Sequence, residues 1–427
     1  MDIWKAILIL MVLSAFSHSI NPRTLEATQN SSLSKPKDMS NLNLNLSQST
    51  SNITPKQSSL QSISSPHFTA HDPIAITVDS DFEEQGFPGA GTKDDPYRIE
   101  GFNITSTNGS TSDPHALISI KNTSAHFLVA ENFLNGLTKI EVRRFEPELN
   151  PNVSVGIKVI YANNGKIREN QITSTAKYGI LIEESTNVSV EENTLWLLKD
   201  AIGIVTATNN QIIGNDISDT KYDAVRLRGA SYNNIRGNTL NNIKYSGVKL
   251  ENDHYPGTIP SGYNHIAFNH ISNSRQSGIW IDRDAQNNTI TANWMRLIKD
   301  AGVMLWSGSR NNIVEWNSFL DNTPYQAKDD GLNNQFSYNF WNDWTTPDTD
   351  SDDIVDMPYT IPGSANNQDE LPRTNDDLAR YPKFTLYDAK SSSSSATSLG
   401  TPIVFGALVG LSIIEFISRY QKRKWNN

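Results

Sequence analysis

Four short runs in this sequence, "VRLRG", "VKLEN", "GIWID" and "GVMLW", set charged and aromatic residues at every second position between aliphatic ones. In an extended chain alternate side chains point to opposite sides. If Val225, Leu227, Leu250, Ile281 and Leu305 face a core, then Arg226, Arg228, Lys249, Glu251, Trp280, Asp282, Met304 and Trp306 face away from it. Such a set suits carbohydrate. Indole faces match the apolar faces of sugar rings, and guanidinium or ammonium groups match uronate or sulfate. Glu251 and Asp282 occupy equivalent places in successive runs, so they are the candidates for a general acid and its partner base or nucleophile. Directly after Glu251 comes an inserted segment, "DHYPGTIPSGYNH" (Asp253–His265), which should lie beside the same residues. The competing reading is a solvated face whose indoles the insertion covers.

Two other groups carry charge at regular spacing. Lys177, Lys199, Lys221, Lys244, Arg275 and Lys299 recur at one place in successive repeats, with Asp200, Asp223 and Asp300 beside them. Stacked like charges repel, so interleaved carboxylates should offset them, giving either a track for an anionic glycan or a solvated rim. The segment "DTDSDDIVD" spaces carboxylates as hard oxygen ligands for Ca²⁺ would be spaced, with Asp348, Asp350, Asp352 and Asp356 as the ligands. An acidic solvated loop is the alternative.

Composition narrows the classes. The chain of 427 residues has a formal net charge of −10, which argues against a nucleic-acid partner, since that needs a basic footprint. There is no cysteine, so thiolate metal sites and disulfide staples are excluded. With six Met and eight scattered His, no copper is expected, and neither a Ser-His-Asp triad nor a phosphate loop is recognisable.

The elements that must position these residues are written in a repeat. "NNQIIGNDI", "NNIRGNTL", "NNTITANWM" and "NNIVEWNSF" are one phrase, and its last Asn falls at Asn170, Asn193, Asn215, Asn238, Asn269, Asn293, Asn317 and Asn339, with a weaker copy at Asn132. Spacings of 22 to 24 residues, with one of 31, mean a solenoid. The alternation of Val, Ile and Leu has strand periodicity, and Gly, Asn, Asp and Ser punctuate each run as short turns require. Each repeat is therefore a coil of short strands. The marker Asn should stack on its copies through its amide and should be structural rather than catalytic.

The two ends differ from this body. Residues 1–19 have the plan of a signal peptide, and 20–71 are Ser- and Asn-rich and expected to be disordered. The β-helical body is read as 72–345 and an acidic capping segment as 346–388. A Ser-rich linker (389–401), an apolar stretch long enough for a transmembrane helix (402–418) and a basic tail (419–427) follow. Basic residues after the apolar stretch put the tail in the cytoplasm and the body outside, as a single-pass protein of the cell surface. Sequons such as Asn103, Asn187 and Asn287 agree with an exterior, glycosylated protein.

The repeat resembles the right-handed parallel β-helix repeats of the NosD-like and the carbohydrate-binding and sugar-hydrolase (pectate-lyase-like) families. "GFPGAGTKDDPYRIEGFNI" is similar to the segment that opens such helices, and "FWNDWTTPDTDSDDIVDMPYTI" to the acidic segment that closes them. The resemblance implies an all-β, single-stranded right-handed parallel β-helix of about ten coils, from an archaeal surface protein. Because this scaffold hosts many activities, three functions stay open: polysaccharide binding on the Arg226–Trp306 face, a lyase or glycoside hydrolase on that face, and a structural or adhesion protein. The expected partners are a surface glycan and, through the C-terminal helix, the membrane.

Overall fold

The computed structural model describes residues 68–105, 116–136, 155–252 and 260–376. The expected signal segment, linker, transmembrane stretch and basic tail lie outside the described residues, as do most of 20–71 and residues 253–259 of the insertion. No helix among the described residues is long and apolar enough to cross a membrane.

Each repeat forms three short strands joined by tight turns. One coil runs through Gln171–Thr173, Tyr178–Glu183 and Ser189–Glu191 before the next begins at Thr194. Equivalent strands of successive coils pair in parallel, so the coils build three sheets, here called I, II and III, of 11, 10 and 12 strands. Register keeps aliphatic residues in columns. In sheet II Ile157, Ile180, Ile202, Val225, Val248, Ile279 and Val303 succeed one another, all buried in the single core that runs through the solenoid.

A solenoid has two open ends, and both are plugged by aromatic rings. At the start a helical turn, Ser80–Glu84, buries Phe82 against Tyr97 at 4.6 Å between ring centroids. At the finish Phe319, Trp341 and Tyr359 stack at 4.3 and 4.2 Å. The strand Gln368–Asp369 extends sheet III beside Phe336, and Tyr359–Thr360 pairs antiparallel on its outer edge. The strand Thr69–His71 falls inside the stretch expected to be disordered, because its backbone pairs with Phe102–Ile104 at the open edge of sheet I.

The Asn-Asn phrase gives each amide a different task. The first residue takes the left-handed backbone of a corner, as at Asn209, Asn287 and Asn311 with φ of 55 to 57°. Asn tolerates this conformation better than other L-residues. The residue after the corner, the second Asn of most copies but the first at Asn233, forms a buried ladder, Asn210–Asn233–Asn264–Asn288–Asn312–Asn334, in which each Nδ2 donates to the next Oδ1 at 3.0–3.2 Å. The marker Asn forms a longer ladder from Asn132 to Asn339 with bonds of 2.9–3.1 Å. Both ladders point their donors toward the C-terminal end, so each needs a terminal acceptor. Asp369 Oδ2 accepts from Asn339 at 3.0 Å, and Asp329 Oδ1 accepts from Asn334 at 2.9 Å. The sequence reading anticipated the marker ladder. It did not foresee the second one or the carboxylate that ends each.

Candidate functional site

The strands Val225–Arg228, Val248–Glu251, Ser277–Ile281 and Ala301–Leu305 lie side by side in sheet II. Their register sets Arg226 opposite Lys249, Lys249 opposite Trp280 and Trp280 opposite Met304, while Arg228 faces Glu251 in the next outward column. Asp282 and Trp306 follow directly on these strands, and the amide of Asp282 donates to Leu250 O at 2.8 Å, which keeps it beside Glu251. The residues singled out by alternation thus share one face.

Their chemistry is set by where the charges meet. Glu251 is only 3% exposed. Its Oε1 accepts from Arg226 Nε at 2.9 Å and Arg228 Nε at 2.8 Å, and its Oε2 from Arg226 Nη2 at 3.0 Å, with Lys249 Nζ at 3.1 Å. Burial opposes ionisation of Glu251, but the three surrounding cations outweigh it and hold the carboxyl below its usual range. Glu251 therefore orients the cations, and as a stable anion it is a poor proton donor. Asp282 is half-buried and accepts from the amide of Arg283 at 2.8 Å, which fixes the turn after the strand.

The indoles complete the face. Trp280 and Trp306 are both half-buried and stack at 5.3 Å with 20° between planes. Lys249 Nζ lies 5.6 Å from the Trp280 ring. Trp280 Nε1 is buried and finds no acceptor among the described residues. Met304, expected to be exposed, is buried, flanked in its column by Trp280 and Lys328.

One feature of this face was missed. Asp200 and Asp223, read from sequence as offsets on a charged rim, are buried where two strands enter sheet II. The amide of Asp223 donates to Asp200 Oδ1, and that of Ser246 to Asp223 Oδ1, both at 3.0 Å. Arg226 Nη1 lies 3.6 Å from Asp200 Oδ2, and so joins this pair to the Glu251 cluster. Burial raises both carboxyls, and Asp200 raises its neighbour further, taking Asp223 to about 7. The ring of Tyr178 roofs Gly203 in the same outward column, where a Cβ would come within 2.6 Å of it. The signal available in the sequence was the register: Asp200, Asp223 and Ser246 are one repeat apart, each just ahead of a sheet II strand. Of the rim cations, Lys221 is itself buried, and Lys199 Nζ sits 5.0 Å from the Tyr222 ring.

The acidic segment gathers three of its four expected ligands. Asp348, Asp350 and Asp356 bring oxygen atoms within 4.8 Å of one another, a spacing that could hold a cation. Asp352 stands apart from that group, its Oδ1 accepting from the amide of Ile354 at 3.0 Å. Asp356 Oδ2 also accepts from Thr349 N and Oγ1.

Comparison with known proteins fits this architecture. The family described as "Right handed beta helix region" matches residues 155–319. The A-module of mannuronan C-5 epimerase AlgE6 from Azotobacter vinelandii is similar in structure, with TM-score 0.50 and 14% identity over 70% of this chain and 77% of that one. The A-module of mannuronan C-5 epimerase AlgE4 from the same organism gives 0.49 and 12%, over 70% and 80%. The enzymatically active domain of tailspike protein 2 from bacteriophage CBA120 gives 0.48 and 9%, over 78% of this chain and 49% of that one. No curated protein matches the chain. At these identities the likeness speaks to fold, and the fold is a right-handed parallel β-helix.

Proposed function

We propose that the outer face of sheet II binds an acidic polysaccharide. The observation that carries this reading is the stacked, half-exposed Trp280–Trp306 pair beside three cations held in place by one buried anion. Arg226, Arg228 and Lys249 outnumber three to one Glu251, the one carboxylate that all three contact, next to the indoles. An ordered cationic face costs little further side-chain entropy when it takes up a carboxylate or sulfate. That the similar A-module is a mannuronan epimerase is compatible with an acidic glycan here. This reading keeps the body outside the cell, tethered through the C-terminal apolar segment, with Ca²⁺ held by Asp348, Asp350 and Asp356 near the end of the helix.

The test is binding of alginate, polygalacturonate and a sulfated glycan by calorimetry. Trp280→Ala should weaken binding by about 1–3 kcal/mol, the magnitude found when an aromatic platform is removed from a stacked base, and should barely move the melting temperature. A large loss of stability with no loss of affinity would instead make Trp280 a packing residue.

A second reading is favoured by one observation, the elevated carboxyl of Asp223 next to Asp200. That reading makes the face a lyase or glycoside hydrolase, with a carboxyl that holds its proton near neutrality as the acid. If the face is catalytic, Asp223→Asn abolishes release of reducing ends or unsaturated sugars while binding persists.

A further inference from the structure

A second feature lies one corner away, where sheet II turns into sheet III. There a groove of about 730 Å³ is lined by Thr186, Thr208, Ser231, Gln286 and the rings of Tyr232 and Tyr263, with Glu184 at one end. We propose that this groove is a separate subsite for an uncharged sugar chain, with the stacked phenol pair as its aromatic wall. The proposal does not rest on the reading of the sheet II face.

The corner position is left-handed in every coil from Asn164 onward, and Asn fills it at Asn164, Asn187, Asn209, Asn287, Asn311 and Asn333, with φ of 54 to 60°. Tyr232 and Tyr263 hold it in the two intervening coils, with φ of 59 and 55°. The column is continuous through this region: Thr208 bridges Ser231, Gly262 bridges Gln286, and the amide of Tyr232 donates to Gly262 O at 3.1 Å. A bulky residue pays more than Asn for this conformation; corners in other columns carry one too, Phe268, Trp316 and Tyr338 among them, but in this column the two tyrosines interrupt a run of Asn.

Packing does not account for the strain. Tyr232 and Tyr263 remain 58% and 53% exposed, so most of each ring faces water. Their planes are 6° apart with centroids at 5.1 Å, so the two rings stack face to face along the column beside the groove. A third exposed tyrosine, Tyr161, also left-handed, hydrogen-bonds Glu184 at the far end. The volume is in the range of small-molecule sites. Hydroxyl and amide groups line it, no cation does, and Glu184 would repel an acidic sugar. A lining of phenol groups, hydroxyls, an amide and one carboxylate therefore selects a neutral, hydroxyl-rich ring, whereas the Arg226, Arg228 and Lys249 cluster of sheet II selects an acidic one.

The experiment restores the residue that the rest of the column uses. The full-length chain and its Tyr232→Asn/Tyr263→Asn variant are titrated with maltohexaose, cellohexaose, xylohexaose and mannohexaose by calorimetry, at low and high salt. Because Asn fits the corner, the variant should melt at or above the parent temperature. At least one probe should bind the parent, insensitive to salt, and lose at least tenfold in affinity in the variant. Trp280→Ala should leave that binding unchanged. The proposal is overturned if no probe binds the parent, or if the double variant binds as well as the parent. It is equally overturned if the variant melts several degrees lower, which makes the ring pair structural, or if Trp280→Ala removes the same binding, which puts the sugar on sheet II.

Discussion

Removal of one rung of the marker ladder measures what that ladder contributes. The side chain of Asn293 accepts from Asn269 N at 3.0 Å and from Asn269 Nδ2 at 2.9 Å. It donates to Ile266 O at 2.8 Å, Thr291 O at 3.1 Å and Asn317 Oδ1 at 3.0 Å. In Asn293→Ala the Asn269 amide Nδ2 keeps its bond to Ile235 O, and Asn317 Oδ1 keeps the backbone N–H of residue 293. The backbone N–H of Asn269 has no other acceptor within reach in the ladder, and it is buried. One orphaned buried donor costs about 1–3 kcal/mol, and the remaining lost bonds add about 1, so the loss should be about 2–4 kcal/mol. In a body of this size each kcal/mol moves the melting temperature by about 2–4 °C, which predicts a fall of roughly 4–16 °C by circular dichroism. Asn311→Gly is the matched control. It removes an exposed corner amide outside the ladder while keeping the left-handed backbone accessible, and should cost no more than about 0.5 kcal/mol. If Asn293→Ala and the control melt alike, the ladder is geometry without energy, and the account of the repeat fails.

Other perturbations reach the charges. Glu251→Gln leaves Arg226, Arg228 and Lys249 crowded without their common anion, and urea unfolding should show a loss of about 3–5 kcal/mol. Because the Glu251 carboxyl is depressed on folding, its contribution is present above its unfolded value of about 4.5 and should disappear as pH falls through that range. Asp223 has the opposite sign: folding raises it from 3.8 to about 7, so the stability tied to its proton is present below pH 4 and lost as pH rises toward 7. Asp223→Asn should therefore be more stable than the parent at pH 8 and indistinguishable at pH 4, as read by melting. If Asp348, Asp350 and Asp356 hold calcium, a chelator should lower the melting temperature and Asp350→Asn should remove the response; no heat on calcium titration and no chelator effect would refute the site.

Much of the fold was legible because a parallel β-helix writes the same physical demands in every coil. Alternation assigned Val225, Leu227, Leu250, Ile281 and Leu305 to the core, where all five are fully buried. Recurrence of Asn293 and its copies pointed to a stack, because an amide that must donate upward and accept from below tolerates no other side chain. The ends were less legible. Phe82, Trp341 and Tyr359 plug the core through single, non-repeating contacts, and Asp369 reaches Asn339 across thirty residues that carry no periodic signal.

The candidate site was legible in position but not in electrostatics, and the difference has a physical cause. Alternation and register decide which side chains share a face, and both are local properties of the sequence. Which carboxylate stays free is decided by distances between long side chains from different coils. Arg226 reaches forward to Glu251 and back to Asp200, so it ties together two acids that belong to coils on either side of its own. Glu251 thereby becomes a buried, firmly ionised counter-ion, although its place in the pattern suggested an acid. Asp223 lies one coil beyond Asp200 and accepts only a backbone amide, so burial dominates and its proton is retained toward neutrality. It follows that Arg226→Gln should act on both acids at once. Glu251 would keep Arg228 and Lys249, but Asp200 would lose its only close guanidinium, and the Asp200–Asp223 pair should titrate higher than in the parent. A site that binds acidic glycans through this face would then weaken further at low salt than at high salt, because the lost charge is screened in the second case. Equal weakening at both salts would mean that Arg226 serves the fold alone.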